Sequence, residues 1–216
     1  MPTQDDDDRH WLKQGSTSSA EVEKTYDEWA GKYDHDLADW DYRAPAQAAE
    51  MLRAAVAPTA AILDVGCGTG LTGAALRAAG FTGPVDGVDL SQASLDLAAK
   101  RKLYRDLTQV DLQTLPLAID DDCYDALICI GVMTYVSNSV EVLQEFTRMV
   151  RPKGRIIVTQ RDDLFQERAF GDTIKAMADD GVIAPDFTIS APQPYLPDNP
   201  DFGSEIRVIY IEMTVT

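Results

Sequence analysis

Gly66, Gly68 and Gly70 alternate directly after the apolar run Ala61-Ile62-Leu63-Asp64-Val65 and directly before a helical pattern that begins at Leu71. Glycine lets a backbone approach a ligand with no Cβ in the way, and a helix start offers unpaired N–H groups. Strand, glycine turn and helix in that order therefore make a cradle for a polar ligand. Asp64 is an acid inside an apolar strand, where an unpartnered carboxylate is costly; it either orders the turn or meets a ligand's ammonium group, directly or through water. Asp89 closes Val85-Asp86-Gly87-Val88-Asp89, and Asp111 closes Gln109-Val110-Asp111. The first can accept hydrogen bonds from both hydroxyls of a ribose, the second from the amino group of an adenine. Gly68-Thr69-Gly70-Leu71-Thr72-Gly73 also satisfies the dinucleotide pattern G-x-G-x-x-G. Asp89 suits either ligand, whereas Asp64 and Asp111 together favour an adenosyl group that carries an amino acid.

A parallel sheet buried on both faces would position these residues. Ala61–Val65, Asp125–Ile130 and Arg155–Thr159 are short continuous apolar runs, the pattern of such strands; Val85–Asp89 and Leu107–Asp111 are weaker candidates. Between them, Leu71–Ala79, Ser91–Lys100 and Ser139–Val150 read as helices, the last with Val140, Leu143, Phe146 and Val150 on one stripe. Asn138 with Glu141 resembles a capping pair, and Pro152 and Gly154 end that helix. The alternation from 61 to 159 predicts right-handed βαβ crossovers. Upstream, Val22, Tyr26, Trp29, Tyr33 and Leu37 share one helical face, capped by Ser18 and Glu21, and an Ala-rich helix follows from Ala46 to Ala57. Downstream, Leu164–Asp180 reads as one helix, then a stretch holding Pro185, Pro192, Pro194, Pro197 and Pro200, then an alternating strand from Glu205 to Val215.

The 216 residues suit one domain with a substantial core, and 45% hydrophobic with 25% charged residues is an ordinary globular composition. Residues 1–17, with the acidic run Asp5 to Asp8, read as a mobile tail. The single domain then covers 18–216: N-terminal helices over 18–57, a ligand-binding core over 58–162 and a C-terminal segment over 163–216. A net charge of −17 argues against a nucleic-acid partner. No apolar stretch reaches the roughly 20 residues of a membrane span, and acids follow Met1, so a cytoplasmic location is expected. Cys67, Cys123 and Cys129 show no metal-ligand spacing and read as buried thiols.

Asp64 to Gly70, Gly87-Val88-Asp89-Leu90-Ser91, Asp125 to Ile130 and Val150-Arg151-Pro152-Lys153-Gly154 resemble the successive motifs of class I S-adenosylmethionine-dependent methyltransferases. Tyr26-Asp27-Glu28-Trp29-Ala30, Tyr33-Asp34, Tyr42-Arg43-Ala44-Pro45 and Leu103-Tyr104-Arg105-Asp106-Leu107 narrow the resemblance to the methyltransferase-like proteins of the Williams-Beuren syndrome region. It covers roughly residues 22–162. It implies an α/β Rossmann-like fold, a seven-stranded mostly parallel sheet with its last strand antiparallel and helices on both faces. It also implies S-adenosylmethionine at the carboxyl ends of the first strands, with S-adenosylhomocysteine as product. Gly66 and Gly68 would then approach the methionine part, Asp89 the ribose, Leu90 the adenine face, and Asp111 with Leu112 the adenine edge. Ile130 would contribute backbone, and Tyr33 a hydroxyl near the carboxylate.

On the acceptor side the candidates are Tyr135 after the fourth strand, Asp162 with Arg161 and Asp163 after the fifth, and Tyr195 with Phe187 and Phe202 in the proline-rich stretch. These aromatics suit an uncharged or cationic small molecule. Trp29 reads as core, Arg43 as either a carboxylate's partner or a solvated surface cation, Cys67 as packing, and His35, flanked by Asp34 and Asp36, as a surface residue rather than a base. No catalytic base is singled out. Two other functions are compatible with a glycine loop: a nicotinamide-dependent oxidoreductase, which leaves Asp64 and Asp111 without purpose, and a non-catalytic module that binds S-adenosylmethionine.

Overall fold

The computed structural model describes Leu12, residues 15–201, Gly203 and residues 205–216. The tail expected over 1–17 falls largely outside these residues, and Phe202 lies outside them too.

Eight strands form one sheet: β1 Ile62–Val65, β2 Val85–Asp89, β3 Leu107–Gln109, β4 Tyr124–Cys129, β5 Val150–Arg161, β6 Thr188–Ile189, β7 Gln193–Pro194 and β8 Arg207–Thr214. Their order is β3-β2-β1-β4-β5-β8-β6, with β7 also on β8. The first five are parallel, and β8 runs antiparallel to β5 with Ile157 opposite Glu212 and Thr159 opposite Tyr210. The sheet is the expected mostly parallel one of seven or more strands with an antiparallel strand beside β5. Instead of a single edge strand, the proline-rich segment lays two dipeptides along the outer side of β8.

Seven helices flank the sheet among the described residues: α1 Ser19–Asp39, α2 Ala44–Ala55, α3 Leu71–Ala78, α4 Gln92–Arg101, α5 Ser139–Met149, α6 Asp162–Glu167 and α7 Phe170–Asp179. The alternation of the pleat separates two cores. Leu63, Val65, Leu127, Cys129, Ile156 and Val158 pack with Phe146 and Met149 of α5 and Ile174 of α7 on one face. Ile62, Ala126, Ile128 and Ile157 pack with Ala48 and Leu52 of α2 and Leu76 of α3 on the other. Every strand residue named is buried, which is why these strands carry continuous apolar runs rather than alternating ones. Truncating a fully buried ring such as Phe146 to Ala would cost about 3–5 kcal/mol.

Three local expectations are corrected. The helix expected over Leu164–Asp180 is two, because Ala169 adopts a left-handed φ of 47° that no helix interior tolerates. Asn138 sits at the start of α5 but its side chain caps nothing, and its Oδ1 is buried without a partner. Ser18 likewise makes no side-chain cap; the hydroxyl that reaches Glu21 belongs to Ser16, at 2.6 Å. No helix among the described residues is long and apolar enough to cross a membrane.

Candidate functional site

The carboxyl ends of β1, β2, β3 and β4 open into one cavity of about 760 Å3. Gly66 and Gly68 enter from the turn after β1, Asp89, Leu90 and Ser91 from the end of β2, Asp111 and Leu112 from beyond β3, and Ile130 to Val132 from beyond β4. Val22, Tyr26 and Tyr33 of α1 cover it, and Tyr135 stands at its far side. Eight of the nine residues expected to hold a cofactor therefore meet around one space; Asp64 alone is not on its wall.

Gly66 and Gly68 have positive φ of 68° and 52°. A Cβ at Gly66 would lie 2.1 Å from Cγ2 of Val132, whereas one at Gly68 would meet nothing within 4 Å. The turn is thus packed from behind at Gly66 and open toward the cavity at Gly68. Asp89 fastens it: Oδ2 accepts the Gly68 N–H at 2.7 Å and Oδ1 the Ser91 N–H at 2.9 Å. Burial pushes the Asp89 carboxyl up, and these backbone donors oppose that push. A carboxylate held this way keeps lone pairs for further donors.

Asp64 lies beneath the turn, completely buried. Its Oδ2 accepts from the Tyr104 hydroxyl at 2.7 Å, and that hydroxyl accepts the Gly73 N–H at 3.0 Å. These contacts tie Asp64 through Tyr104 to the first turn of α3, which follows the glycines. Its other oxygen has no partner, and burial raises its pKa to about 7 despite the Tyr104 hydrogen bond. Sequence reading missed the support from Tyr104, although Gly73 and Gly87 signal it: a Cβ at either would run into that ring.

It also missed how α1 is held. Asp27 accepts from the Ser91 hydroxyl at 2.5 Å, next to Asp89 and Leu90. Two turns later Asp34 accepts from the Thr69 hydroxyl at 2.5 Å and from the Arg101 guanidinium, whose Nε also donates to the Thr69 carbonyl at 2.7 Å. The spacing of seven residues between the two aspartates was the available signal.

A second cavity of about 450 Å3 adjoins the first, sharing Tyr26, Tyr33, Gly131 and Tyr135 with it. Trp29, Tyr42, Arg161 and Tyr195 complete its aromatic and polar wall. Gly131, at φ 78°, marks the passage: a Cβ there would lie 2.7 Å from the Tyr195 hydroxyl and 3.1 Å from that of Tyr42. Tyr42 and Tyr195 hydrogen bond to each other, as do Tyr26 and Tyr135. Burial holds the hydroxyls of all five tyrosines above their ordinary range. Arg161 forks onto Asp163, at 3.1 Å through Nε and 2.5 Å through Nη2.

Tyr135 and Tyr195 are thus brought together with Tyr33, and Asp162 is not: it starts α6 and accepts the Arg207 N–H at 3.3 Å. His35 is exposed and pairs with Asp39 at 3.2 Å, Arg43 with Asp41, and the buried Cys67 thiol is pushed up by its surroundings. None of the three lines either cavity.

Residues 63–158 match the family model described as a methyltransferase domain. Human methyltransferase-like protein 27 is 37% identical over 139 residues, 63% of this chain; the chain spans little more than half of that relative, 56% of its length. Among solved structures, an S-adenosylmethionine-dependent methyltransferase of Thermotoga maritima, described as a possible histamine N-methyltransferase, superposes with a TM-score of 0.61. It is 14% identical, and the match covers 88% of this chain and 97% of that one. Geranyl diphosphate C-methyltransferase from Streptomyces coelicolor, solved with S-adenosylhomocysteine, Mg2+ and geranyl diphosphate, gives a TM-score of 0.57 at 18% identity, with 78% of each chain covered. The cavity has the features that an adenosyl amino acid such as S-adenosylmethionine would need: an open turn at Gly68 lies beside two acids, Asp89 and Asp111, beyond separate strand ends.

Proposed function

We propose that this chain, a class I S-adenosylmethionine-dependent methyltransferase by sequence family and fold, transfers the methyl group to a small-molecule acceptor by in-line displacement. The observation that carries the reading is the junction of the two cavities at Tyr26, Tyr33, Gly131 and Tyr135. One side offers the turn and acids suited to an adenosyl amino acid, the other an aromatic-walled space that adjoins it. Asp89 would accept from the ribose hydroxyls, Asp111 from the adenine amino group, and Leu90 and Leu112 would flank the base. Gly66, Gly68 and Ile130 would pass close to the methionine part, with the Tyr33 hydroxyl near its carboxylate.

The bound sulfonium supplies an already activated methyl carbon. The protein's task is then to hold an acceptor in line and exclude water. Tyr26, Tyr33 and Tyr135 stand where both would be done. A net charge of −17 disfavours nucleic acid as acceptor, and the geranyl diphosphate enzyme is a relative in fold that acts on a small molecule.

Titration calorimetry with S-adenosylmethionine, S-adenosylhomocysteine and NAD tests the cofactor; binding of NAD alone would refute the reading. Transfer of labelled methyl from S-adenosylmethionine into a metabolite extract tests catalysis. Label recovered only in protein or nucleic acid would overturn the small-molecule acceptor, and tight cofactor binding with no transfer to any fraction would leave a binding module instead.

A further inference from the structure

The second cavity is walled by six aromatic rings, Tyr26, Trp29, Tyr33, Tyr42, Tyr135 and Tyr195. They meet at tilted or edge-on angles with centroids 4.7 Å apart for Trp29 and Tyr33, 5.4 Å for Tyr42 and Tyr195, and 5.7 Å for Tyr26 and Tyr135. In such packing the edge of one ring meets the face of its neighbour, and the ring surface that remains lines the cavity. The phenols stay neutral at physiological pH because burial raises all of them. The cation that lines the space, Arg161, is matched by its fork onto Asp163. A formally charged acceptor would therefore exchange water for rings and a closed ion pair, a costly transfer for an anion in particular.

These features fit a flat, uncharged molecule, and the direction in which charge moves narrows the class. When a neutral nitrogen is the nucleophile, its lone pair forms the new bond to the methyl carbon. The electron pair of the broken sulfur–carbon bond returns to sulfur, and the positive charge passes to nitrogen; no proton leaves. Ring faces attract a cation within about 6 Å of their centroids. The tyrosines at the junction therefore face positive charge at both ends of the transfer, which an anionic oxygen or carbon nucleophile would instead neutralise.

We infer that the aromatic cavity is the acceptor site for a neutral, planar nitrogen heterocycle, methylated on nitrogen to a cationic product. The inference rests on the proposed methyl transfer and deepens it. Its test uses quinoline as acceptor probe and N-methylquinolinium as product probe, with 1-methylnaphthalene as the uncharged isostere. Binding to the chain loaded with S-adenosylhomocysteine is followed by calorimetry and by the fluorescence of Trp29, which lines the cavity. N-methylquinolinium is expected to bind at least fivefold more tightly than 1-methylnaphthalene. Tyr135→Leu should remove at least threefold of the N-methylquinolinium affinity and less than twofold of the other, while Tyr135→Phe keeps both. Equal affinities, or equal losses in Tyr135→Leu, would overturn the cage. Labelled methyl should appear on quinoline and not on 2-naphthol or 2-naphthoate; methylation of the oxygen compounds alone would overturn the nitrogen acceptor. Failure to bind S-adenosylhomocysteine at all would overturn the proposed function and this inference with it, whereas cofactor binding without probe binding removes only the inference.

Discussion

The two cavities are built by opposite means. The larger is formed at the ends of adjacent parallel strands, so its glycine turn and the acids Asp89 and Asp111 come from short contiguous motifs, 66–70, 87–91 and 109–112, with Ser19, Glu23, Tyr26 and Tyr33 added from α1. The smaller is collected from α1, the loop between α1 and α2, the turn beyond β4, the end of β5 and the segment before β8. Its character comes from side-chain rings rather than backbone. A site made by strand ends is shared by every sheet of this topology, and a site made by side chains from distant segments can change without disturbing the sheet. Cofactor binding should thus be damaged by changes in the turn and acids and spared by changes in Trp29, Tyr42 and Tyr195, the rings that line the smaller cavity alone.

The largest expected effect lies under the turn. The Asp64 carboxyl has a folded-state pKa of about 7, raised above the roughly 4 of an unfolded aspartate. Folding is then favoured most when it is protonated, below about pH 4, and that stability is lost as pH climbs to about 7, up to about 4 kcal/mol in all. Asp64→Asn should remove this loss while still accepting the Tyr104 hydrogen bond. Thermal unfolding without cofactor should show the variant gaining on the parent chain between pH 5 and pH 8; a constant difference would mean that Asp64 is charged and compensated.

Next in size is Gly66→Ala, whose Cβ enters the space of Val132 at a positive φ. Affinity for S-adenosylhomocysteine should fall at least a hundredfold, about 2.7 kcal/mol, and adding Val132→Ala should recover part of it. An unchanged dissociation constant by calorimetry would show that the turn does not shape the cofactor site. Asp89→Ala should cost at least tenfold, about 1.4 kcal/mol, as expected for charge-assisted hydrogen bonds, with N-methylquinolinium binding unaltered. Equal damage to both ligands would erase the distinction between the cavities.

The smallest effect tests the helix that covers both. Asp34→Asn loses the pairing with Arg101, which is partly exposed and worth up to about 1 kcal/mol. S-adenosylhomocysteine should leave up to fivefold faster in stopped flow, and amides of α1 should exchange faster. The difference should shrink in high salt, since screening weakens the pair in the parent chain. Exchange in α1 that is equally slow in both proteins would make the helix a fixed wall.

The sheet was legible because each strand is buried on both faces, so Ala61–Val65, Asp125–Ile130 and Arg155–Thr159 stand out as apolar runs. The turn and its acids were legible because glycine and carboxylate are costly in a strand unless something needs them. What escaped was non-local. Nothing near Asp162 says that its carboxylate caps the Arg207 N–H while Arg161, one residue earlier, faces the cavity. Nothing near Tyr42 announces Tyr195, which is 153 positions away. The break at Ala169 escaped for a different reason: alanine favours helix locally, and packing overrode it.

Tyr26 and Tyr33 stand on a single helix and wall both cavities. Any movement of that helix would therefore change both cavities together. With α1 lifted, an acceptor would find only half of its cage; with α1 seated, Asp27 and Asp34 grip the two loops that border the cofactor. On the proposed function the expected consequence is an ordered turnover: cofactor first, acceptor second, then departure of the methylated product, and S-adenosylhomocysteine last. The same arrangement would limit the water that reaches the methyl group, because α1 covers the space in which it would react.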